Sequence, residues 1–439
     1  MRNYPHIGIQ VADVLLPRPE VDPQKWAVIA VDQFTSQPEY WQQVAELVGD
    51  SPSTYHLTLP EVMLGTPAES ERIQSAQQRM KEYLTLGLLE SAEGIVYVER
   101  TVNGKVRHGL VLALDLEQYD YNKGAKTLVR ASEGTILDRL PPRMKIRRGA
   151  PLELPHILVL IDDPQGSVVE MATRNIGRME PLYDFELMFG SGHLTGYRVT
   201  DPALEEQIIK GFEKLADPQA FSEKYGVDAK KTGVLMYAAG DGNHSLATAK
   251  AVWEELKPHV GMDHPARYAL VEIENVHDEG LTFEPIHRVL FNLHSDPLQA
   301  MAVYFGDTIT YTANLECDQM IEMVSRQEPH RQSFGIITSE GYAVAHIEKP
   351  ATNLPVGTLQ AFLDQYIRNG GAEKIDYVHG EDVICELSGQ PGNIGFFLPK
   401  MDKSELFKTV LVDGALPRKT FSMGEAEEKR FYMEARRIG

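Results

Sequence analysis

Six consecutive residues, Gly240-Asp241-Gly242-Asn243-His244-Ser245, carry the densest set of groups suited to chemistry in this 439-residue chain. They join the apolar run Gly233–Ala239, a predicted buried strand, to a segment with Leu246, Ala249, Val252 and Leu256 at helical spacing. A strand, a glycine-flanked turn and a helix start leave the first helical N–H groups pointing outward as a pocket for an anion, and the glycines Gly240 and Gly242 let a ligand approach the backbone. Asp241 at that mouth is a candidate general base or metal ligand, and His244 could orient or protonate a phosphoryl oxygen. Asn243, Ser245 and Thr248 are candidate hydrogen-bond donors to the same group. The six residues also spell an ordinary left-handed turn, with Asn243 or Ser245 capping the helix. Common nucleotide motifs do not fit. A dinucleotide GxGxxG needs glycine where Ser245 stands, and the Walker A spacing is missing.

A second concentration of charge is Arg139, Arg143, Lys145, Arg147 and Arg148, set in a chain whose formal net charge is −20. These residues could face an anionic substrate, with Glu133 and Asp138 as catalytic carboxylates, or make up a solvated loop or ion pairs between domains. His287-Arg288, after Phe283-Glu-Pro285, could bind a carboxylate or phosphate or serve as a packed structural pair. Gly190-Ser-Gly192-His193 reads as a hairpin turn more than as an anion loop. His277-Asp278-Glu279 and His379-Gly-Glu381-Asp382 lack the i, i+4 spacing of a helical zinc site. Cys317 and Cys385 are far apart without CxxC spacing, so two reduced, packed thiols are expected.

The elements that must position these groups divide into three expected regions: 1–125, 126–299 with the Asp-Gly-Asn-His turn, and 300–439. In the first, Trp26–Val31 is predicted as a strand, Pro38 as the opening of a helix, Ala68–Leu86 as a longer helix, and Asn103-Gly104 as a hairpin turn. In the second, Asp201-Pro202 caps a helix reaching Leu215. The third mixes strands with helices and ends in a predicted helix over Glu425–Ala435. Without a strict strand–helix alternation the fold class is α+β, with mixed sheets.

Hydrophobic residues at 43% and charged ones at 24% are the balance of a folded globular protein. The acidity excludes tracking a nucleic-acid backbone while leaving room for a local pocket that takes a small anion. No apolar run approaches the roughly 20 residues of a membrane span, and the start lacks a leader's apolar stretch, so a cytoplasmic location is expected. The oligomeric state stays open.

Several patches together resemble the bacterial domain-of-unknown-function family 1015, over nearly the whole length. In that family a strand runs into Asp-Gly-His-His-Arg-Tyr and an alanine-rich helix; here the matching segment is Asp241-Gly242-Asn243-His244-Ser245-Leu246 followed by Ala247-Thr248-Ala249. Glu133-Gly-Thr135 with Asp138-Arg139, Pro285-Ile-His287-Arg288, Asp32 after the first strand, and Pro417-Arg-Lys419-Thr420 resemble further family blocks. The form Asp32-Gln-Phe-Thr-Ser-Gln-Pro-Glu-Tyr-Trp41 is similar to a mainly clostridial branch. The turn also resembles, over some thirty residues, the ParB/sulfiredoxin group, which includes nucleotide-dependent kinases of free serine. What that resemblance implies is phosphate binding at the turn, ATP or ADP with Mg as cofactor, and a small polar acceptor such as serine. Two departures matter: Asn243 replaces the first histidine, and Ser245 replaces an arginine whose bidentate grip a hydroxyl cannot reproduce. The expected function is a nucleotide-dependent phosphotransferase, the alternatives being a non-enzymatic nucleotide- or metabolite-binding regulator and a hydrolase of phosphorylated metabolites. Its expected catalytic residues are Asp241, His244 and Glu133; Arg139, His287, Arg288, Asp32 and Lys419 would join the turn in binding substrate or phosphate.

Overall fold

The computed structural model describes residues 1–35, 37–135, 140–326, 328 and 330–439. The chain forms two compact units: Met1–Leu281 with Gly424–Gly439, and Thr282–Met423. The three consecutive regions expected from sequence are corrected on this point. Strand β2 (Lys105–Asp115) pairs antiparallel with β8 (Tyr268–Asn275), so 1–125 and most of 126–299 share one sheet. The last sixteen residues return to that unit instead of closing the second.

The other main strands of the first unit are β1 (Val96–Val102), β3 (Val129–Ala131), β4 (Leu158–Ile161), β5 (Glu180–Glu186), β6 (His193–Arg198) and β7 (Tyr237–Asp241). Within an 11-stranded sheet they run β5-β6-β1-β2-β8-β4-β7-β3. It is mixed, as expected for α+β. Strands β4 and β8 are parallel, as are β7 and β3, while β4 and β7 are antiparallel. The β1–β2 hairpin turns at Asn103 and Gly104, whose φ of 51° and 74° meet the two positive angles this tight turn requires. Strands β5 and β6 form the hairpin anticipated around Gly190–His193. One face packs Val159, Ile161, Tyr237, Ala239, Val271 and Ile273 against helices α3 (Pro202–Leu215) and α4 (Asn243–Val260). The other face packs Val111, Ala113 and Leu270 against Trp26, Trp41 and Met80. Asp201 accepts a hydrogen bond from Ala203 N–H and Pro202 opens α3, as the sequence predicts. Helix α1 (Pro38–Val48) also starts at its proline, and α2 (Leu140–Arg147) packs on α4 through Leu140, Met144, Ala247 and Val252.

Two expected elements differ. Trp26 ends a short helix, Pro23–Trp26, because Asp22-Pro23 forms a cap and first-turn pair; only Val28–Ile29 remains extended. The predicted C-terminal helix is an extended segment: after one 3-10 turn at Ala426–Glu428, Phe431–Tyr432 pairs with Val28–Ile29.

The second unit is a six-stranded antiparallel sheet of β9 (His287–Leu293), β10 (Ile309–Leu315), β11 (Arg331–Thr338), β12 (Gly341–Glu348), β13 (Ala372–Val378) and β14 (Ile394–Phe397). Helices α5 (Cys317–Ser325) and α7 (Glu381–Ser388) cover one face, where Met320, Val324 and Ile384 meet Val289, Ile337, Val344 and Phe397. Helix α6 (Pro355–Arg368) packs against β13 and β11. Among the described residues no helix is long and apolar enough to cross a membrane.

Candidate functional site

The chain leaves β7 at Gly240-Asp241 and enters α4 through Gly242, whose φ of +73° is the left-handed conformation glycine adopts freely. A Cβ there would stand 3.1 Å from Ile157 Cα and 3.2 Å from its Cγ1, so the close strand–turn contact requires glycine as well. Gly242 N–H donates to Asp241 Oδ1 at 2.8 Å, and as the N-cap residue Gly242 has no side chain to cap the helix. The amides of Asn243, His244 and Ser245 lie at the positive end of α4.

Asn243 and Thr248, expected as ligand donors, use those donors on the protein. Asn243 is buried, accepts Ser132 N–H at 3.2 Å and donates to Ser132 Oγ and Ala239 O at 3.2 and 3.3 Å. It rivets the end of β3 to the turn, which sets Glu133 one residue from that rivet. Thr248 donates to His244 O at 2.7 Å, leaving His244 on the outward part of the first turn, half-buried.

Charge at the mouth comes from the C-terminal segment. Lys429 Nζ lies 3.1 Å from Asp241 Oδ2, with side chains 10% and 24% exposed. Burial works to raise the Asp241 carboxyl, yet Lys429 and His156 outweigh it and hold the group below the usual carboxylate range. Arg430 anchors the segment from the next position, donating to Glu272 at 2.6 Å and Glu434 at 2.7 Å inside the core. Glu272 and Asp241 are both register partners of Leu158 on β4, so adjacent residues of the tail answer carboxylates on the two strands that flank β4.

A hydrogen-bond chain completes the site. Val31 N–H donates to the Tyr432 hydroxyl at 3.3 Å, and that hydroxyl meets His156 Nδ1 at 2.9 Å. From the other side of the ring, Nε2 meets the hydroxyl of Ser245 at 3.0 Å. Ser245 borders a cavity of about 150 Å³ lined also by Thr248, His156, Tyr432, Glu61 and Arg143, over an apolar wall of Leu57, Met80 and Leu154. Burial lifts the Glu61 carboxyl above its ordinary range; the paired Arg143 opposes this, and the negative charge of Asp32 adds to it. Asp32 itself is half-buried and accepts from Gln33 Nε2 at 3.0 Å.

Residues 15–366, well over half of the chain, match the family described as "Protein of unknown function (DUF1015)". The chain belongs to the DUF1015 family. No curated protein matches it. Among solved structures, a conserved hypothetical protein from Pyrococcus furiosus is 11% identical at a TM-score of 0.36, the match covering 72% of this chain and 90% of that one. A free serine kinase mutant in complex with ADP is also 11% identical, at a TM-score of 0.40, covering 76% and 93%. SbnI with a C-terminal truncation, from Staphylococcus aureus, is 10% identical at a TM-score of 0.34, covering 72% and 82%.

Of the expected site residues, Ser245 and Thr248 line the cavity of this DUF1015 chain, Asp241 and Gly242 precede them in the turn, and Asp32 acts on Glu61 through its charge. Asp138 and Arg139 lie outside the described residues. Of the neighbouring cations, Arg143 pairs with Glu61 and Lys145 with Glu69, linking two of the expected regions, while Arg147 pairs with Glu153 and Arg148 with Glu255 inside 126–299. His287, Arg288 and Lys419 belong to the second unit. His287 stacks on Phe397 at 4.4 Å and its Nδ1 accepts from Leu398 N–H at 3.1 Å; burial and the Arg288 charge lower its pKa to about 4. The buried Arg288 donates to Gln360 Oε1, Ile286 O and Arg418 O. Both are tied into their own sheet. Lys419 is exposed, with a φ of 55°.

Four residues of this DUF1015 site escaped sequence reading: His156, Glu61, Lys429 and Tyr432. His156 was legible only as the polar start of an apolar strand, one residue after Pro155. Lys429-Arg430 preceding Phe431-Tyr432 was a signal too, since two cations beside two aromatics suit a docked, extended segment better than an exposed helix.

Proposed function

We propose that this DUF1015 protein is a nucleotide-dependent phosphotransferase acting on a small polar metabolite, with free serine as the first acceptor to test. The observation that carries this reading is the Lys429–Asp241 pair at the start of α4, beside the cavity that the Ser245 side chain lines. Helix-start amides and a lysine are a working set for phosphate oxygens. A volume of about 150 Å³ falls below the ~300–1,000 Å³ of drug-sized ligand sites, so it suits the acceptor, with the nucleotide outside over the turn. Asp241, held as a carboxylate, is the residue to bind Mg²⁺, which when present neutralises phosphate charge. Ser245 orients the acceptor hydroxyl and Glu133 takes its proton as the oxygen attacks the terminal phosphorus, while the bond to the nucleotide leaving group breaks. Arg139 is assigned the remaining charge on the transferring group.

Phosphorus NMR of the protein with ATP or ADP, Mg²⁺ and a panel of hydroxyl acceptors tests the assignment. New phosphate-ester resonances are expected, and Asp241→Asn and Glu133→Gln each reduce turnover far more than stability. Normal turnover in both variants, or saturable nucleotide binding without any product, overturns it; the second outcome establishes a binding regulator instead.

A further inference from the structure

A cavity of about 710 Å³ lies within the second unit, where β11 begins and β12 ends, beside the loop that enters α6 and the stretch from Leu398 that leads into α8 (Glu405–Asp413). It shares no residue with the cavity that Ser245 and Thr248 line, and its volume falls in the ~300–1,000 Å³ range of small-ligand sites. The protein's own hydrogen bonds hold its walls. Buried Gln332 donates to Thr352 O at 2.8 Å and accepts from the Thr358 hydroxyl at 2.6 Å. Asn353 donates from its backbone to Asp413 at 3.0 Å and from its side chain to Glu405 at 2.8 Å, which ties the loop to α8. Val324, Leu354, Val356, Leu398 and Met401, all buried, give the lining an apolar part.

The carboxylates of the lining are all engaged. Arg331 answers Glu348 at 3.0 Å and Glu328 at 3.1 Å, Lys408 answers Glu405 at 3.3 Å, and Asp402 accepts from the Ser404 N–H and hydroxyl at 2.8 and 2.7 Å. Arg326 and Lys400 are paired in turn with Glu322 and Glu284. Lys349 differs: it lines the cavity exposed, and among the described residues its ammonium has neither an ion pair nor a hydrogen bond. Its backbone N–H donates to His330 O at 2.9 Å, which sets a second nitrogen-bearing side chain of the lining beside it. Both residues are left-handed, with φ of 51° and 66°, a conformation that side chains rarely adopt and that gathers at ligand sites. The charge left to recruit a ligand is therefore positive. We propose that this cavity binds a small organic anion, its phosphate or carboxylate held by Lys349 and His330 and its apolar body laid against Leu354 and Val356.

The test titrates the full chain with 8-anilinonaphthalene-1-sulfonate, an apolar body carrying one anionic group, and reads its fluorescence under native conditions. Saturable enhancement is expected, with Lys349→Glu weakening the affinity about tenfold or more and Lys349→Arg restoring it. Lys349 is exposed, so the Lys349→Glu protein should keep the native urea midpoint, and its loss of binding then reports the site and not the fold. Phenyl phosphate or benzoate should displace the dye and neutral benzyl alcohol should not; the stronger of the two anions names the group that Lys349 holds. Equal dye affinity in the native and Lys349→Glu proteins overturns the proposal. Displacement by benzyl alcohol as effective as by either anion also overturns it.

Discussion

Substituting methionine for Lys429 keeps the length of the side chain and removes its charge, so that Asp241 loses the cation 3.1 Å away. Breaking a buried ion pair from one side costs roughly 3–5 kcal/mol, because the remaining charge stays desolvated. Asp241 is 24% exposed and keeps its bond from Gly242 N–H, which puts this case at about 2–3 kcal/mol. The sign with pH follows from the direction of the shift. In the native protein the folded carboxyl lies below its unfolded value, so the pair stabilises above roughly pH 4 and that contribution is lost as acid titrates the folded group. In Lys429→Met burial prevails and the carboxyl moves upward, so the deficit should grow on raising pH from about 4 toward neutrality.

Urea unfolding followed by tryptophan fluorescence isolates the relevant unit, since Trp26, Trp41 and Trp253 all belong to it. Asp241→Asn should cost at least about 1 kcal/mol less in the Lys429→Met background than in the native one. A cost of Lys429→Met below about 0.5 kcal/mol, flat with pH and additive with Asp241→Asn, would refute the electrostatic account of the site.

Gly242→Ala forces a left-handed alanine against Ile157 and should cost at least about 1–2 kcal/mol in the same assay, while abolishing any thermal shift with nucleotide. Tyr432→Phe leaves the Val31 amide without its acceptor and should destabilise by about 1–3 kcal/mol; if the chain through His156 orients Ser245, turnover falls more steeply than nucleotide affinity. The His108 ring, bonded to Asp278 at 2.8 Å, has its pKa raised by that bond, which outweighs burial. That stabilisation is complete below about pH 6.5 and disappears as pH rises through the folded value; His108→Gln should flatten the decline.

Local signals carried the reading of the turn. Gly242 between an apolar strand and an apolar-striped segment specifies a left-handed entry into α4, and Asp201-Pro202 and Asn103-Gly104 specify a cap and a hairpin turn by rules spanning three or four residues. The α+β class followed from the same local pattern. Pairing between distant segments was not legible, because β2 and β8 meet through non-local register and nothing near either strand encodes the partner. The C-terminal segment shows the point most clearly. Helical spacing over Glu425–Ala435 is real in the sequence, but Arg430 bonded to Glu272 and Phe431–Tyr432 paired with Val28–Ile29 override it. The cation at the site was therefore invisible until that strand was placed.

The geometry also separates two roles that the residue types leave interchangeable. A carboxylate held below its ordinary range by a lysine at 3.1 Å is a poor proton acceptor, since accepting a proton forfeits the ion pair. The same charge makes it a good ligand for a hard cation brought in with phosphates. In the proposed reaction, then, Asp241 binds and Glu133 accepts the proton. The two variants should accordingly fail differently. Asp241→Asn should raise the Mg²⁺ concentration needed for half-maximal rate and recover part of its activity at high Mg²⁺. Glu133→Gln should keep the native Mg²⁺ dependence, lose turnover by a factor of about 10²–10⁴, and lose the rate increase that otherwise accompanies ionisation of the base. An Asp241→Asn enzyme with native Mg²⁺ dependence but an altered pH profile would exchange the two assignments.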